Sequence, residues 1–249
     1  MTHIINAACA LIITACSIAL YKKMPALWLC EYDEYPEEMH LPGFRDRMKP
    51  LQKAAVPAVL WALVFTGLQL RAGGCGGFLW RAPASGPALL SVLPVMILLV
   101  TAALSDAAYR ILPDQLVAGA AFFAAAVRCA AAGAQGFAAG GGLWAAAAAV
   151  PGVLWDCGLG AAAGGFLMLL CILCGLLTGG RVPLGAGDVR LMIACGAAGA
   201  SAEAAFSVFC GGMLLSGVYM AAGILSGKLS PGNSIALGPF LVLAALPCL

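Results

Sequence analysis

Charge is what this chain lacks. Only 10% of its 249 residues are Asp, Glu, Lys or Arg, while 63% are apolar, and the mean hydropathy is +0.99. A soluble domain carries about a quarter charged residues and about half apolar ones. So few charges cannot cover so much apolar surface, which excludes a soluble fold, a disordered chain and a nucleic-acid-binding module. Histidine is scarcer still, with His3 and His40 alone. No H-E-x-x-H occurs, and two remote histidines argue against serine-triad and zinc-protease chemistry. Cysteine is abundant, at eleven, but most lie inside apolar runs, where the thiol packs as a small hydrophobe. That includes the C-x-x-C match Cys171/Cys174. Cys75, Cys129 and Cys157 fall near one membrane face, with their pairing open.

What is present is a series of long apolar runs, at about 4–20, 54–70, 88–105, 115–132, 158–178, 189–202, 204–226 and 234–248. Most approach the roughly 17–25 residues that cross a bilayer as helix. The expected fold is an all-α polytopic membrane protein with about eight transmembrane helices and its N-terminus outside. It forms a single membrane domain, 1–249, whose partner is the lipid bilayer. Half of the 24 charged residues lie between Lys22 and Lys53, making 21–53 a charged cytosolic loop. This threading places ten Lys/Arg inside and three outside, as basic residues distribute in bilayers. Residues 136–155, rich in Ala and Gly with Pro151 near their end, are read as an interfacial or re-entrant segment. Were they a ninth span, the basic residues would divide seven to six.

Beyond residue 53 only five carboxylates remain: Asp106, Asp114, Asp156, Asp188 and Glu203. Each is expensive near lipid and needs a reason to exist. Asp156 and Glu203 fall outside and read as cap or loop charges. Asp106 ends the third run and Asp188 opens the sixth, on the same inner face. Two facing carboxylates can share one proton, because both cannot easily ionise side by side, and so divide acid and base work on a water. Asp188 at a helix start and Asp106 at a helix end would bias the proton toward Asp106. Gly185 and Gly187 frame Asp188 and would let an extended substrate backbone approach. Taken alone, Asp188 also fits a helix N-cap. The sixth run is short, at about 21 Å of helix against a core of about 30 Å. A recessed Asp188 follows from that mismatch.

These pieces resemble the type IV prepilin peptidases, of the GxGD class of membrane aspartic proteases. The matching stretches are Asp106 followed by Arg110 and Leu112-Pro113-Asp114, then Gly185-Ala186-Gly187-Asp188-Val189-Arg190-Leu191, then Leu237-Gly238-Pro239-Phe240-Leu241. Gly158 to Phe166 is similar to the family's small-residue helix start. The resemblance covers roughly 88–245, the expected peptidase core, with 81 residues between the two aspartates. It implies that Asp106 and Asp188 are the catalytic pair. Asp114 would be a helix N-cap after Pro113 that supports the site. Arg190 would be a cationic anchor near the cytosolic surface, though a snorkelling residue fits equally. The implied substrate is a prepilin or pseudopilin, whose basic leader is cut at the cytoplasmic face just after a glycine. The implied place is the cytoplasmic (inner) membrane of a bacterium or archaeon. No metal or cofactor is implied.

The first loop departs from the pattern. Bifunctional members also N-methylate the new amino terminus and carry two C-x-x-C pairs there, whereas 21–53 holds Cys30 alone. Four thiolates cannot be assembled, so a structural zinc and methylation are not expected. Glu31, Asp33, Glu34, Glu37 and Glu38 read either as solvated charge balanced by Arg45, Arg47, Lys49 and Lys53, or as attraction for a basic leader. Two other classes fit the composition: a non-catalytic pilus or secretion assembly protein, and a small ion-coupled transporter with its acids along one pore.

Overall fold

Apolar sequence with few charges leaves each helix to satisfy its own backbone, and helices are what form. A computed structural model describes residues 2–25, 28, 55–72, 89–177, 185–230 and 235–249. The acid-rich stretch of the 21–53 loop, with Cys30 and His40, lies outside the described residues, as does Cys75. Among the described residues there is no strand. The elements are α1 (Thr2–Lys23), α2 (Ala55–Ala72), α3 (Leu89–Tyr109), α4 (Asp114–Gly136), α5 (Gly142–Leu177), α6 (Ala186–Gly199), α7 (Ala202–Leu225) and α8 (Gly238–Ala245). Five stretches are long and apolar enough to cross a bilayer: His3–Lys23, Leu89–Tyr109, Asp114–Ala145, Ala147–Leu177 and Ala202–Leu225. These are the features of a multi-pass helical membrane protein. Each expected run contains a helix, but α2, α6 and α8 are shorter than the rest.

The largest difference from expectation is at 136–155. A π-helical turn, Phe137–Gly141, follows α4, and Gly140 and Gly142 take left-handed φ values of 82° and 62°. Such angles suit only glycine at low cost, and here they turn the chain back on itself. Residues 142–155 then run without a break into α5, despite Pro151. The expected boundary at 158 is absent because the run of alanines at 145–149 has high helix propensity and carries the helix through. Asp156, expected as a charge just before a span, lies within α5 and is exposed. Its neighbour Cys157 comes within electrostatic reach of Arg128, so α4 and α5 form an antiparallel hairpin.

The 14-residue α6 occupies the centre, packed against α4, α5, α7 and α8. Its contact with α5 is made by glycines. A Cβ on Gly164 would lie 2.5 Å from the Met192 carbonyl oxygen, and Gly160 and Gly196 similarly leave no room for a side chain on each other's backbone. Backbone-to-backbone approach of this kind is the usual means of joining helices in lipid, where apolar burial drives nothing. The run from Gly158 to Phe166, likened above to a helix start, thus lies in mid-helix and serves this seam. At the far end of α6, Arg128 Nε donates to the Ala198 carbonyl at 2.9 Å. Ala200 closes the helix with φ 50°, and the Ser201 hydroxyl accepts from the Ala204 N–H at 3.0 Å to start α7.

Candidate active site at one end of the bundle

α3 delivers Asp106. The helix runs one turn further than the apolar run, to Tyr109, so Asp106 lies inside its last turns and is only 5% exposed. Arg110 ends the helix in the left-handed region, φ 59°, donating its N–H to the Asp106 carbonyl at 2.8 Å. The fully buried Ser105 donates its hydroxyl to the Ile111 carbonyl at 2.9 Å, pinning the short α3–α4 connection beside the carboxylate. Pro113, with φ −65° and ψ 120°, then opens α4.

α6 delivers Asp188 in its first turn. Gly185 is the N-cap, and Asp188 is the third helical residue, not the N-cap it resembled alone. Its Oδ2 accepts the Gly185 N–H at 3.1 Å, the reach-back half of a capping box. α8 completes the set. The Gly238 N–H donates to Asp106 Oδ2 at 2.8 Å, in the interior. The Asp188 charge acts on Asp106, so the pair lies within electrostatic reach. Each carboxylate therefore receives one backbone N–H from a glycine at a helix start. The proton bias toward Asp106, expected from the end of α3 alone, is opposed by the N-terminus of α8 pointing at it.

Asp114 and Arg190 do not act as expected singly. Asp114 is the first residue of α4 and makes no side-chain cap; Pro113 holds the cap position. Its carboxylate instead takes Arg190 Nη1, 2.6 Å from both oxygens. The pair is 38% and 50% exposed and joins the first turns of α4 and α6. Arg190, expected as an anchor or a snorkelling residue, is thus also the ion-pair partner of Asp114. Gly185 is exposed, and a Cβ there would make only ordinary contact, with Asp188 Oδ2 at 3.8 Å, while Gly187 faces Leu112, whose side chain a Cβ would meet at 3.2 Å. Neither needs a left-handed backbone. Gly187 therefore admits the chain's own α3–α4 connection, and of the two only Gly185 is exposed.

All four of these polar side chains, with Gly238, gather at one end of the bundle. Glu203, in the first turn of α7, lies past the opposite end of α6. Gly238 is the participant that side-chain reasoning missed. Its signal is the Leu237–Leu241 stretch, where a proline follows the glycine at a helix start. No family model, curated protein or solved structure matches the chain.

Proposed function

We propose that this chain is an aspartic endopeptidase of the membrane that removes the basic leader of type IV prepilins or pseudopilins without N-methylating the product. The observation that carries the reading is that Asp106 and Asp188 lie at the same end of the bundle within electrostatic reach, each with Oδ2 held by a glycine N–H. Those bonds fix the carboxylates and leave Oδ1 of each to a water. One aspartate, ionised, takes a proton from that water as it attacks the scissile carbonyl. The other, protonated, gives its proton to the carbonyl oxygen. As the tetrahedral intermediate collapses and its C–N bond breaks, the first aspartate gives the proton it took from water to the leaving nitrogen. The other recovers its own from the hydroxyl on the former carbonyl carbon, which restores the pair, whose titration belongs to both.

In this reading about eight helical segments thread the membrane, with the N-terminus outside and the aspartates facing the cytoplasm. The membrane is the cytoplasmic one of a bacterium or archaeon. Lys22, Lys23, Arg110, Arg190 and Lys228 would then share the cytoplasmic side, as the positive-inside rule requires. Acids of a transport path would be staggered in depth, whereas these two share one end, which favours the peptidase.

The test is co-expression with a candidate prepilin and gel analysis of leader removal. Asp106→Asn and Asp188→Asn are each expected to leave the leader attached, a loss of at least about 1,000-fold. Normal processing by either variant would overturn the reading.

A further inference from the structure

The glycine contacts of α5 fix how far it outruns α6. Gly160 meets Gly196 and Gly164 meets Met192, so the two helices run antiparallel in that register. Three residues on from Gly196, the last residue of α6, Gly199, falls level with residue 157. The first fifteen residues of α5, 142–156, therefore stand past the end of α6, over about 22 Å of helix. α4 reaches the same level at Arg128, whose Nε bonds the Ala198 carbonyl, and it too continues. Arg128, Asp156 and Glu203 make this a polar level, and a bilayer core fits on the aspartate side of it. From Asp156 to Leu177 α5 runs about 32 Å, and from Glu203 to Leu225 α7 runs about 33 Å, against a core of about 30 Å. The tip of the α4–α5 hairpin, 129–155, is surplus to that core. It is nonetheless not a surface made for water. It holds no Asp, Glu, Lys or Arg. Its large side chains face outward, Leu143 at 79% and Trp144 at 87% exposed, with Phe137, Leu154 and Trp155 beside them.

We propose that the tip of this hairpin is a lipid-binding surface that lies in the headgroup boundary of the leaflet opposite the aspartates, anchored by Trp144 and Trp155. The occupant is lipid because the surface continues the apolar one that the same two helices expose along the core, at Phe122 and Phe123 on α4 and Leu159 and Phe166 on α5. Tryptophan collects at that boundary, where the ring is covered and the indole N–H reaches water or a headgroup. Pro151 gives α5 a place to bend as it leaves the core, since it lacks the N–H that would bond the Ala147 carbonyl. Bending there lays the exposed side chains into the acyl boundary instead of holding them in water. Neither aspartate takes part, so the surface is independent of the peptidase reading.

Tryptophan fluorescence of the full chain in vesicles of phosphatidylcholine and phosphatidylglycerol tests it. The difference between wild type and Trp144→Phe reads Trp144 by itself, and Trp155→Phe serves in the same way should the first variant disturb the tip. Trp144 is expected to emit at the short wavelengths of an apolar surrounding and to resist iodide in the water. It should lose most of its intensity to phosphatidylcholine brominated near the headgroup end of its chains, and less to bromines at the chain ends. Stronger quenching from the chain ends would make the tip a membrane-crossing segment. Iodide quenching with long-wavelength emission would leave it in water. Protection from both quenchers would mean that protein covers it, a second copy of this chain included. Each of these three results overturns the proposal.

Discussion

Gly238 donates its backbone N–H to Asp106 Oδ2 at 2.8 Å, and a Cβ on that glycine would stand 2.6 Å from the same oxygen. The close approach and the hydrogen bond are one feature. Only a residue without a side chain brings the first amide of α8 to a buried carboxylate. The contact also ties α8 to α3, 132 positions earlier in the chain.

Gly238→Ala is therefore expected to displace the Asp106 carboxylate, because the surrounding backbone has less freedom than that short side chain. The cost in stability should be about 1–3 kcal/mol, as for other overpacked interiors. The loss of leader cleavage should be larger, about 100-fold, since a shift near 1 Å in a reacting group has that effect. Parallel measurement of Tm and cleavage rate checks it. Unchanged cleavage would mean that the Gly238 bond does not position Asp106.

The Asp114–Arg190 pair links the start of α4, below Asp106, to the turn of α6 that carries Asp188. Half-exposed ion pairs contribute at most about 1 kcal/mol to stability. Asp114→Asn and Arg190→Gln are accordingly expected to change Tm little while lowering kcat about 10-fold with KM nearly unchanged. The wild-type rate should also fall with added salt, since exposed charges are screened. The exchanged pair, Asp114→Arg with Arg190→Asp, should recover part of the rate. Full activity in Arg190→Gln would show that the pair does not set the gap between the aspartates.

Gly160 and Gly158 lie two residues apart on α5 and make opposite predictions. A Cβ at Gly160 would collide with the backbone at Gly196, whereas at Gly158 it meets nothing within 4 Å. Gly160→Ala should cost about 1–3 kcal/mol by forcing α6 away. Gly158→Ala should be neutral or stabilise by up to about 1 kcal/mol, through helix propensity alone. Thermal unfolding of the two variants separates them.

The scarcity of charge made both the membrane class and the two aspartates readable, because an acid among apolar runs stands out residue by residue. The glycines around Asp188 were readable as a motif but not as contacts: Gly187 faces Leu112, which no spacing rule reveals. Asp114 looked like a cap because capping is decided within one turn. Its partner Arg190 is 76 positions away, and pairings at that range come only from packing. The donor at Gly238 was hidden for a different reason. A backbone N–H belongs to nearly every residue and leaves no trace in composition. The start of α5 was misplaced because hydropathy separates apolar from polar residues, not one apolar helix from the continuation of another.

Arg110 offers the cleanest test of backbone geometry near the site. Its φ of 59° is a conformation that costs a side-chain-bearing residue about 1–2 kcal/mol and glycine almost nothing. Arg110→Ala and Arg110→Gly both delete the guanidinium and whatever it contacts, so their difference isolates the backbone. Glycine should be more stable than alanine there by about 1 kcal/mol, or about 2–4 °C in Tm, the reverse of their order at an ordinary helical position. If alanine proves equal or better, the end of α3 does not take the left-handed turn, and the hydrogen bond from the Arg110 N–H to the Asp106 carbonyl must be made differently.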